Sequence, residues 1–195
     1  MVSVFIHPSA EVHPSASLGS GTKVWHGAQV LEGAQVGADS MLGQGVFLGR
    51  GVQVGMGCRL QNGAQVFSGV ELEDFVFLGP GVTFTNVKRP RAFQAADKFE
   101  RTVVKEGASL GARSTILCGL TIGRYALVGA GAIVTKDIPD YGEFVGQPAK
   151  QVGWVCRCGA PLRMDSSDAL YSCERCPERY RRVGGQLFEL KSSEA

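Results

Sequence analysis

The sequence predicts an all-β chain that folds as a parallel β-helix, with one protruding loop and a small cysteine-rich module at its C-terminal end. Three observations predict this fold. An apolar residue recurs at every sixth position, the spacing breaks once around residues 87–103, and two close cysteine pairs follow residue 155. An α-helix needs apolar residues every three to four positions and a simple strand every two, so a fixed period of six indicates a solenoid.

The six-residue period runs without a break from Ile6 to Phe84. A small or β-branched residue stands four positions after each apolar one, as Ala28 follows Val24. We expect each unit to be a short strand and a corner, three units to form one triangular coil, and coils to stack about 4.8 Å apart. Glycine, at 27 residues, relieves crowding at the corners. Residues 1–5 are expected to cover the open end of the first coil.

A loop is predicted where the period breaks. Phe84 and Val104 are twenty residues apart, which is not a multiple of six, so residues 87–103 are an insertion between coils. If the insertion keeps the phase of the helix, Val104 takes the next face after Phe84. Long loops on rigid scaffolds usually carry function. The loop has five cationic and two acidic side chains: Lys88, Arg89, Arg91, Lys98 and Arg101, against Asp97 and Glu100.

The remainder of the chain divides into two parts. The period continues to residue 139, so we assign 1–139 to the β-helix domain and 140–155 to a connector. Within the connector, residues 148–152 begin with proline and are predicted to start a short turn of helix, since proline is tolerated in a first turn. Residues 156–195 form the separate cysteine-rich module.

The module contains a candidate zinc site. Cys156 and Cys158 are separated by fourteen residues from the pair Cys173 and Cys176. Two pairs at this distance match a four-thiolate zinc site on two hairpin knuckles, although the first pair has one intervening residue where two are usual. The module is too small to hold a core alone, so a metal staple is expected. Four thiolates leave no open position, which favours structural over catalytic zinc.

Corner residues separated by one coil are expected to stack in outward-facing columns. One column continues through the loop root to a cysteine and a lysine: Glu32, Arg50, Ser68, Asn86, Cys118 and Lys136. A second column contains His26, Gln44, Asn62, Pro80, Ala112 and Ala130. Asn86 is the last corner residue before the loop departs.

Composition limits the possible partners and location of the chain. The net charge is +2, which argues against a protein that binds nucleic acid through its overall charge. The N-terminus has neither a basic segment nor a long apolar run, so no signal peptide is predicted, and no stretch is long enough for a membrane span. Cysteines with metal-like spacing then favour a cytoplasmic location.

Residues 82–87 (VTFTNV) with Pro90-Arg91-Ala92 carry a resemblance to a known family. Together with LCGLTIG at 117–123 and VGQPAKQVGW at 145–154, they resemble the hexapeptide-repeat acetyltransferases, in particular those that acetylate the 3-amino group of UDP-2-acetamido-3-amino-2,3-dideoxyglucuronate in bacterial surface-polysaccharide synthesis. The resemblance covers about residues 6–155. It implies a left-handed β-helix, a homotrimer with active sites between subunits, and acetyl-CoA as co-substrate.

The resemblance also implies roles for individual residues. Asn86 is implied as the active-site asparagine that hydrogen-bonds the sugar amine. The residues expected to contact the nucleotide sugar are Gln44, Gln61, Asn62, Lys88, Arg91 and Arg101, with Arg91 expected to meet the carboxylate of the uronate. The residues expected to contact acetyl-CoA are Ala112, Cys118, Gly129, Ala130, Lys136 and Lys150.

The histidines bear on mechanism and on the alternatives. Many hexapeptide acetyltransferases use a histidine base, but His7, His13 and His26 all lie in the first coils, so we expect the sugar amine to attack without one. His7 and His13 are not expected to hold a metal, because no third ligand follows at a matching position. Two alternatives stay open: acetylation of another nucleotide-linked amino sugar, such as a dTDP-3-amino-deoxyhexose, and a non-catalytic trimeric scaffold.

Overall fold

The structure is a computed structural model that describes residues 3–94, 98–165 and 169–190. Asp97, counted above among the loop charges, lies outside the described residues. Every helix or strand assigned in the described parts is a β-strand. The strands are β1 (Phe5–Ile6), β2 (Glu11–Val12), β3 (Ser17–Leu18), β4 (Lys23–Val24), β5 (Gln29–Val30), β6 (Gln35–Val36), β7 (Met41–Leu42), β8 (Phe47–Leu48), β9 (Gln53–Val54), β10 (Arg59–Leu60), β11 (Gln65–Val66), β12 (Val70–Leu72), β13 (Phe77–Leu78), β14 (Thr83–Phe84), β15 (Thr102–Val104), β16 (Ser109–Leu110), β17 (Thr115–Ile116), β18 (Thr121–Ile122), β19 (Leu127–Val128), β20 (Ile133–Val134), β21 (Gly142–Gly146), β22 (Ala149–Trp154), β23 (Leu162–Met164), β24 (Leu170–Cys173), β25 (Arg179–Val183) and β26 (Gln186–Glu189).

Three of the four sheets are the faces of a parallel solenoid. A nine-stranded sheet runs in the order β1-β4-β7-β10-β13-β16-β19-β21-β22, a seven-stranded sheet in the order β2-β5-β8-β11-β14-β17-β20, and a six-stranded sheet in the order β18-β15-β12-β9-β6-β3. Consecutive strands therefore go to successive faces, and each strand pairs with the strand one coil later. The prediction of three six-residue units per coil is confirmed.

The core is the stack of aliphatic side chains that the period predicts. Leu42, Leu48, Leu60 and Leu78 are fully buried, and the small residues between them are buried as well. Each such leucine contributes about 1.5–3 kcal/mol by its removal from water. The first coil is less well covered, since residue Ile6 is 45% exposed. Phe5 belongs to β1 and is exposed, so it is part of the first coil and does not cover its open end, contrary to the expectation for this residue; residues 1 and 2 lie outside the described residues.

The loop is inserted between two coils without a change of phase. β15 pairs with β12 so that Val104 lies beside Leu72, on the face that follows Phe84. On the other side of the loop, Phe84 pairs directly with Ile116 one coil later. This confirms the predicted insertion and its phase. The coils approach closely at the corners: a Cβ atom on Gly111 would lie 2.4 Å from the backbone nitrogen of Ala130, so only glycine fits there.

The segment predicted as a connector is part of the solenoid. β21 pairs in parallel with β19 and continues the nine-stranded sheet, and β22 turns back against β21 as a hairpin. Phe144 and Ala149 from this hairpin are buried in the main core. The prediction of a helical turn at 148–152 is therefore wrong, because pairing with the preceding coil and burial of Ala149 select the extended conformation.

The C-terminal residues form a separate antiparallel sheet of four strands, β23 to β26. A second hydrophobic cluster of the molecule, separate from the core of the coils, contains Tyr141, Trp154, Cys156, Tyr171, Tyr180 and Leu187. Two of these residues, Tyr141 and Trp154, come from the last coil and its hairpin. The cluster thus joins the four-stranded sheet to the end of the solenoid.

Candidate functional site

The root of the loop places Asn86 one coil before Cys118. The backbone carbonyl of Asn86 accepts a hydrogen bond of 3.0 Å from the N–H of Glu100, which closes the loop where it leaves and returns. The hydroxyl of Thr85 accepts the N–H of Cys118 at 2.9 Å, and the hydroxyl of Thr102 accepts the N–H of Gly119 at 3.0 Å. These bonds confirm that Cys118 stacks over the Asn86 corner, as the predicted column requires.

The side chain of Asn86 is available at this root. It is partly buried, and no described residue forms a hydrogen bond with its amide group. Cys118 beside it is buried, with 4% of the residue exposed. Lower in the same column, Arg50 and Glu32 form an exposed ion pair of 3.8 Å. The column therefore leads from a solvated end to an asparagine whose polar atoms can meet a ligand.

The basic side chains of the loop differ in how they are engaged. Lys88 pairs with Glu100 at 3.7 Å, and the ammonium lies near Gly119. Arg101 binds Glu71 through two guanidinium nitrogens, at 2.7 and 2.5 Å, and this pairing raises the pKa of Arg101. Arg91 is exposed and forms no ion pair with a described residue; its guanidinium contacts the carbonyl of Pro90 at 3.0 Å. Of the three loop residues among the predicted sugar contacts, Arg101 is thus held by the solenoid.

The second column is also formed as predicted, in the corner that precedes the seven-stranded sheet. The side-chain oxygen of Asn62 accepts the backbone N–H of Gln44 at 3.0 Å. Ala130, which follows Ala112 by one coil, offers no such acceptor, and the backbone N–H groups of Ala112 and Ala130 have no hydrogen-bond partner among the described residues. Gln61 begins the same corner as Asn62 and is engaged through its backbone. This corner presents free backbone donors along its upper coils.

The two columns do not meet within one chain. The column of Asn86 lies in the corner that follows the strands of the seven-stranded sheet, and the column of Ala130 lies in the corner that precedes them. One chain therefore separates Asn86 and Cys118 from Gln44, Asn62 and Ala130 by the width of that sheet. The structure brings together the members of each column and leaves the two columns apart.

The last predicted cofactor contacts lie at the end of the solenoid. Lys136 is exposed in the first column, and Lys150 is exposed on β22. Gly129 has a packing role: a Cβ atom there would lie 2.8 Å from a methyl group of Val145. Gly129 can contact the hairpin and also lie beside a cofactor, because the hairpin continues along the corner in which Gly129 stands.

The four cysteines of the C-terminal module converge. Their Sγ atoms all lie within 4.8 Å of one another, and within the described ranges this is the group of His, Cys, Asp or Glu side chains that is close enough to share a metal ion. Burial raises the pKa of the Cys156 thiol to about 12, whereas a backbone N–H from Ala160 lowers the pKa of Cys158 to about 7. The structure thus brings the four cysteines named in the sequence together.

The histidines hold the first corners in place. Nδ1 of His7 lies 2.9 Å from the hydroxyl of Ser9, and Nδ1 of His13 lies 2.8 Å from that of Ser15. Each serine in turn accepts a backbone N–H one coil later. These repeated contacts give both histidines a turn-stabilising role, in the coils farthest along the chain from Asn86.

Sequence reasoning missed a cavity of about 680 Å³ where the four-stranded sheet meets the last coil. It is lined by residues 137–141 of the last coil and residues 186–189 of the four-stranded sheet, together with Lys105, Thr121 and Arg124. It also missed three tyrosines at this junction, Tyr125, Tyr141 and Tyr180. The sequence did contain a signal, because Tyr125 and Tyr141 stand in a corner column where glycine is frequent. In the structure both tyrosines take the positive φ values of that corner, 53° and 62°.

The comparisons with known proteins agree with this fold. Residues 32–68 and 102–136 match the family model described as hexapeptide repeat of succinyl-transferase. These two segments are hexapeptide repeats. A hexapeptide-repeat-containing acetyltransferase of Vibrio cholerae O1 biovar eltor, solved with acetyl coenzyme A, superposes with a TM-score of 0.53 at 20% identity, over 63% of this chain and 70% of that one. This likeness supports the solenoid fold.

Two further relatives act on nucleotide-linked sugars according to their names. The chain is 46% identical over 94 residues to dTDP-3-amino-3,6-dideoxy-alpha-D-galactopyranose 3-N-acetyltransferase of Aneurinibacillus thermoaerophilus, a match that covers 48% of this chain and 47% of that protein. A GDP-perosamine N-acetyltransferase of Caulobacter crescentus is 30% identical over 78% of this chain and 57% of that one, with a TM-score of 0.46. The chain thus spans about half the length of the curated relative.

One observation concerns membranes. In the described parts of the chain, no helix has the length and apolar character needed to cross a bilayer.

Proposed function

We propose that this protein is an acetyl-CoA-dependent N-acetyltransferase that acts on the 3-amino group of a nucleotide-linked amino sugar. The observation that carries this proposal is Asn86: it stands at the root of the inserted loop, directly before Cys118 in its column, with a side-chain amide that no described residue engages. The 46% identity to a 3-N-acetyltransferase of a dTDP-linked amino sugar supports the reaction type.

We infer that the active site forms between copies of a left-handed homotrimer. The support is geometric, because the Asn86 column and the Ala130 column occupy opposite sides of the seven-stranded sheet. A neighbouring copy would have to present its Ala130 corner to the Asn86 corner of the first. Closed symmetric assemblies reuse one such heterologous contact at each interface, so a trimer would contain three equivalent sites.

Acetyl-CoA would bind along the Ala130 corner. The free backbone N–H groups of Ala112 and Ala130 can donate to the amide oxygens of an extended pantetheine arm, since the side chains there are too small to block its approach. Lys150, on the hairpin at the end of the solenoid, and Lys136, in the Asn86 column of the facing copy, are exposed and can meet phosphate groups. Cys118 and Gly129 would line the cleft rather than react.

The chemistry requires little from the protein beyond positioning. The neutral sugar amine attacks the thioester carbonyl carbon, the C–S bond breaks as the amide C–N bond forms, and the proton on nitrogen passes to water or to the departing CoA thiolate. Asn86 would accept an N–H of the amine and align its lone pair with the carbonyl. Orientation of this kind lowers barriers by several kcal/mol, roughly 7–11 in favourable cases.

Two acceptor classes fit the proposal. A UDP-linked 3-amino-sugar uronate, UDP-2-acetamido-3-amino-2,3-dideoxyglucuronate, would offer a carboxylate to the exposed Arg91, with Lys88 beside the sugar. A dTDP-3-amino-deoxyhexose lacks the carboxylate and is the acceptor type named for the relative from Aneurinibacillus. Arg101 would act indirectly, because its bond to Glu71 fixes the returning end of the loop. Either product would serve bacterial surface-polysaccharide synthesis.

The proposed organisation is a catalytic solenoid followed by a structural module. The solenoid extends beyond residue 139 to include the β21–β22 hairpin, and the loop of residues 87–103 closes over the nucleotide sugar. The module of residues 156–195 would carry a structural zinc ion held by Cys156, Cys158, Cys173 and Cys176. Four thiolate ligands fill a tetrahedral zinc, so this ion would take no part in acetyl transfer.

The deciding experiment measures product formation with acetyl-CoA and each acceptor, UDP-2-acetamido-3-amino-2,3-dideoxyglucuronate and dTDP-3-amino-3,6-dideoxygalactose. Chromatography is the appropriate readout, because thiol dyes would also react with cysteines. Turnover of the UDP acceptor that falls in Arg91→Ala supports the uronate; turnover of the dTDP acceptor alone identifies the other class. Failure of both acceptors together with no acetyl-CoA binding would refute the enzyme and favour the trimeric scaffold.

A further inference from the structure

We propose that the four-cysteine site is a zinc clamp, in which one tetrahedral zinc ion fixes the C-terminal four-stranded sheet against the last coil of the solenoid. This goes beyond the proposed acetyl transfer and does not depend on it. The clamp has two parts: the cluster of four thiols, and a line of buried tyrosines that links one of them, Cys156, to the solenoid.

The sulfur positions fit a metal better than disulfide bonds. The Sγ–Sγ separations are 3.5 Å for Cys156 and Cys176, 3.5 Å for Cys158 and Cys173, and 3.7 Å for Cys158 and Cys176. A tetrahedral zinc ion with Zn–S bonds of about 2.3 Å requires separations of about 3.8 Å. A disulfide bond would require about 2.05 Å.

The backbone around the cluster is arranged to support thiolates. The N–H of Cys158 lies 3.5 Å from Sγ of Cys156, and the N–H of Arg175 lies 3.4 Å from Sγ of Cys173. In both cysteine pairs, the first sulfur accepts the N–H of the residue two positions later. The two turns therefore have the same local geometry although their spacings differ. Such N–H groups orient metal ligands and stabilise their negative charge.

The donor set narrows the choice of metal. An all-sulfur tetrahedral site suits zinc or iron. The module contributes few residues to a hydrophobic cluster of its own, so its fold needs a staple, which redox-inert zinc supplies on binding. We therefore assign zinc and treat iron as the result that would contradict this assignment.

The link to the solenoid runs through Tyr180. Its side chain is fully buried, and its hydroxyl lies 3.1 Å from Sγ of Cys156 and accepts the N–H of Arg157 at 3.1 Å. The ring of Tyr141, on the last coil, packs edge-on against Tyr180 with centroids 5.1 Å apart. Tyr141 in turn stacks on Tyr125 of the preceding coil at 5.7 Å. A metal bound to Cys156 would thus hold the tyrosine that contacts the solenoid.

Loss of the ion should loosen this junction and leave the solenoid intact. Trp154 lies at the junction, in the same cluster as Cys156 and Tyr180, and is 9% exposed. The aliphatic core of the coils is a separate cluster, with Phe144 and Ala149 at its C-terminal end. Release of zinc should therefore expose Trp154 while the stacked coils retain their strands.

The metal itself is tested on the full chain. Metal analysis of the purified protein should give about one zinc ion per chain. A mercurial reagent should release that zinc, and replacement by cobalt(II) should give the absorption bands of a tetrahedral tetrathiolate complex. Cys173→Ser should lose zinc, whereas the matched control Cys58→Ala, which replaces a buried core thiol, should keep it. Iron in place of zinc, two disulfide bonds, or no metal would each overturn the assignment.

The clamp is tested by fluorescence. The chain has two tryptophans, Trp25 and Trp154, so the Trp25→Phe variant leaves Trp154 as the sole reporter. Dialysis of this variant against a chelator should shift its emission to longer wavelength with little change in far-ultraviolet circular dichroism, and added zinc should reverse the shift. Zinc loss without a change in Trp154 emission would refute the clamp and leave the metal site standing. Loss of the whole β-sheet signal would refute the separation between the junction and the solenoid.

Discussion

The Asn86→Ala substitution removes the side-chain amide that we place against the sugar amine and keeps the backbone carbonyl that closes the loop root. Because no described residue bonds that amide, the free energy of unfolding should change by less than about 0.5 kcal/mol. Loss of one hydrogen bond to the amine in the transition state should cost about 1–3 kcal/mol. This corresponds to a fall of about 5- to 160-fold in kcat/KM.

The assay is the initial rate of product formation by chromatography, together with a thermal unfolding curve for each variant. Ser68→Ala is the matched control, since Ser68 stands in the same column one coil before Asn86 and has no proposed role in catalysis. Its kcat/KM should stay within about twofold of the unaltered protein. An Asn86→Ala variant that unfolds normally and is equally active would refute the proposed role. A variant that is inactive because it unfolds would point to a structural role for the corner.

Three further predictions concern the core, the subunit interface and a buried thiol. Leu78→Ala should lower the free energy of unfolding by about 2–5 kcal/mol in a denaturant titration, because Leu78 is fully buried and its coil neighbours cannot close the cavity. Asn86→Trp and Ala130→Trp each place a bulky side chain in one of the two corners and should be inactive alone, but trimers reassembled from an equal mixture should regain about a quarter of the activity, since one site in four combines two intact corners. Cys58 should resist alkylation in the folded protein at neutral pH, as mass spectrometry can show, because burial raises its pKa to about 11 and suppresses its thiolate.

The fold of the solenoid was predictable because each six-residue unit has the same surroundings. Leu60 faces inward for the same reason as Leu42 and Leu78, and one frame therefore assigns all of them. The same regularity gave the phase across the loop once the insertion was assumed to preserve it: Val104 then takes the face after that of Phe84, and its pairing with Leu72 confirms this.

The hairpin was not predictable in this way because its conformation depends on a neighbour that the local sequence does not contain. Residues 142–146 become a strand by pairing with Leu127–Val128, and Ala149 is buried against the core that this pairing completes. The proline at 148 suggested the start of a helix, but a helical turn would have left the last coil uncovered. The long-range contact outweighs the local preference.

Within the candidate site, spacing predicted which residues meet but not which of them are free. The column that contains Asn86 and Cys118 follows from counting, and the hydrogen bond from Cys118 to Thr85 confirms it. That Arg101 is held by Glu71 could not be read from the chain, because thirty residues and a change of coil separate the two. The sequence predicted the net charge of the loop. Contacts with the adjacent coil, such as that of Arg101 with Glu71, decide which loop side chains remain available to a substrate.

The relation between the two columns is a different kind of question, because it concerns surfaces that one chain cannot bring together. A spacing of one coil determines that Ala112 and Ala130 share a corner and that Asn86 and Cys118 share another. Which corners face each other is decided by the contact between copies, where the exposed side chains of the strands and the loop must fit. An acetyl donor bound along one corner reaches an amine aligned at the other only across that contact. The interface is therefore part of the proposed active site, and a substitution that separates the copies should abolish activity while each solenoid remains folded.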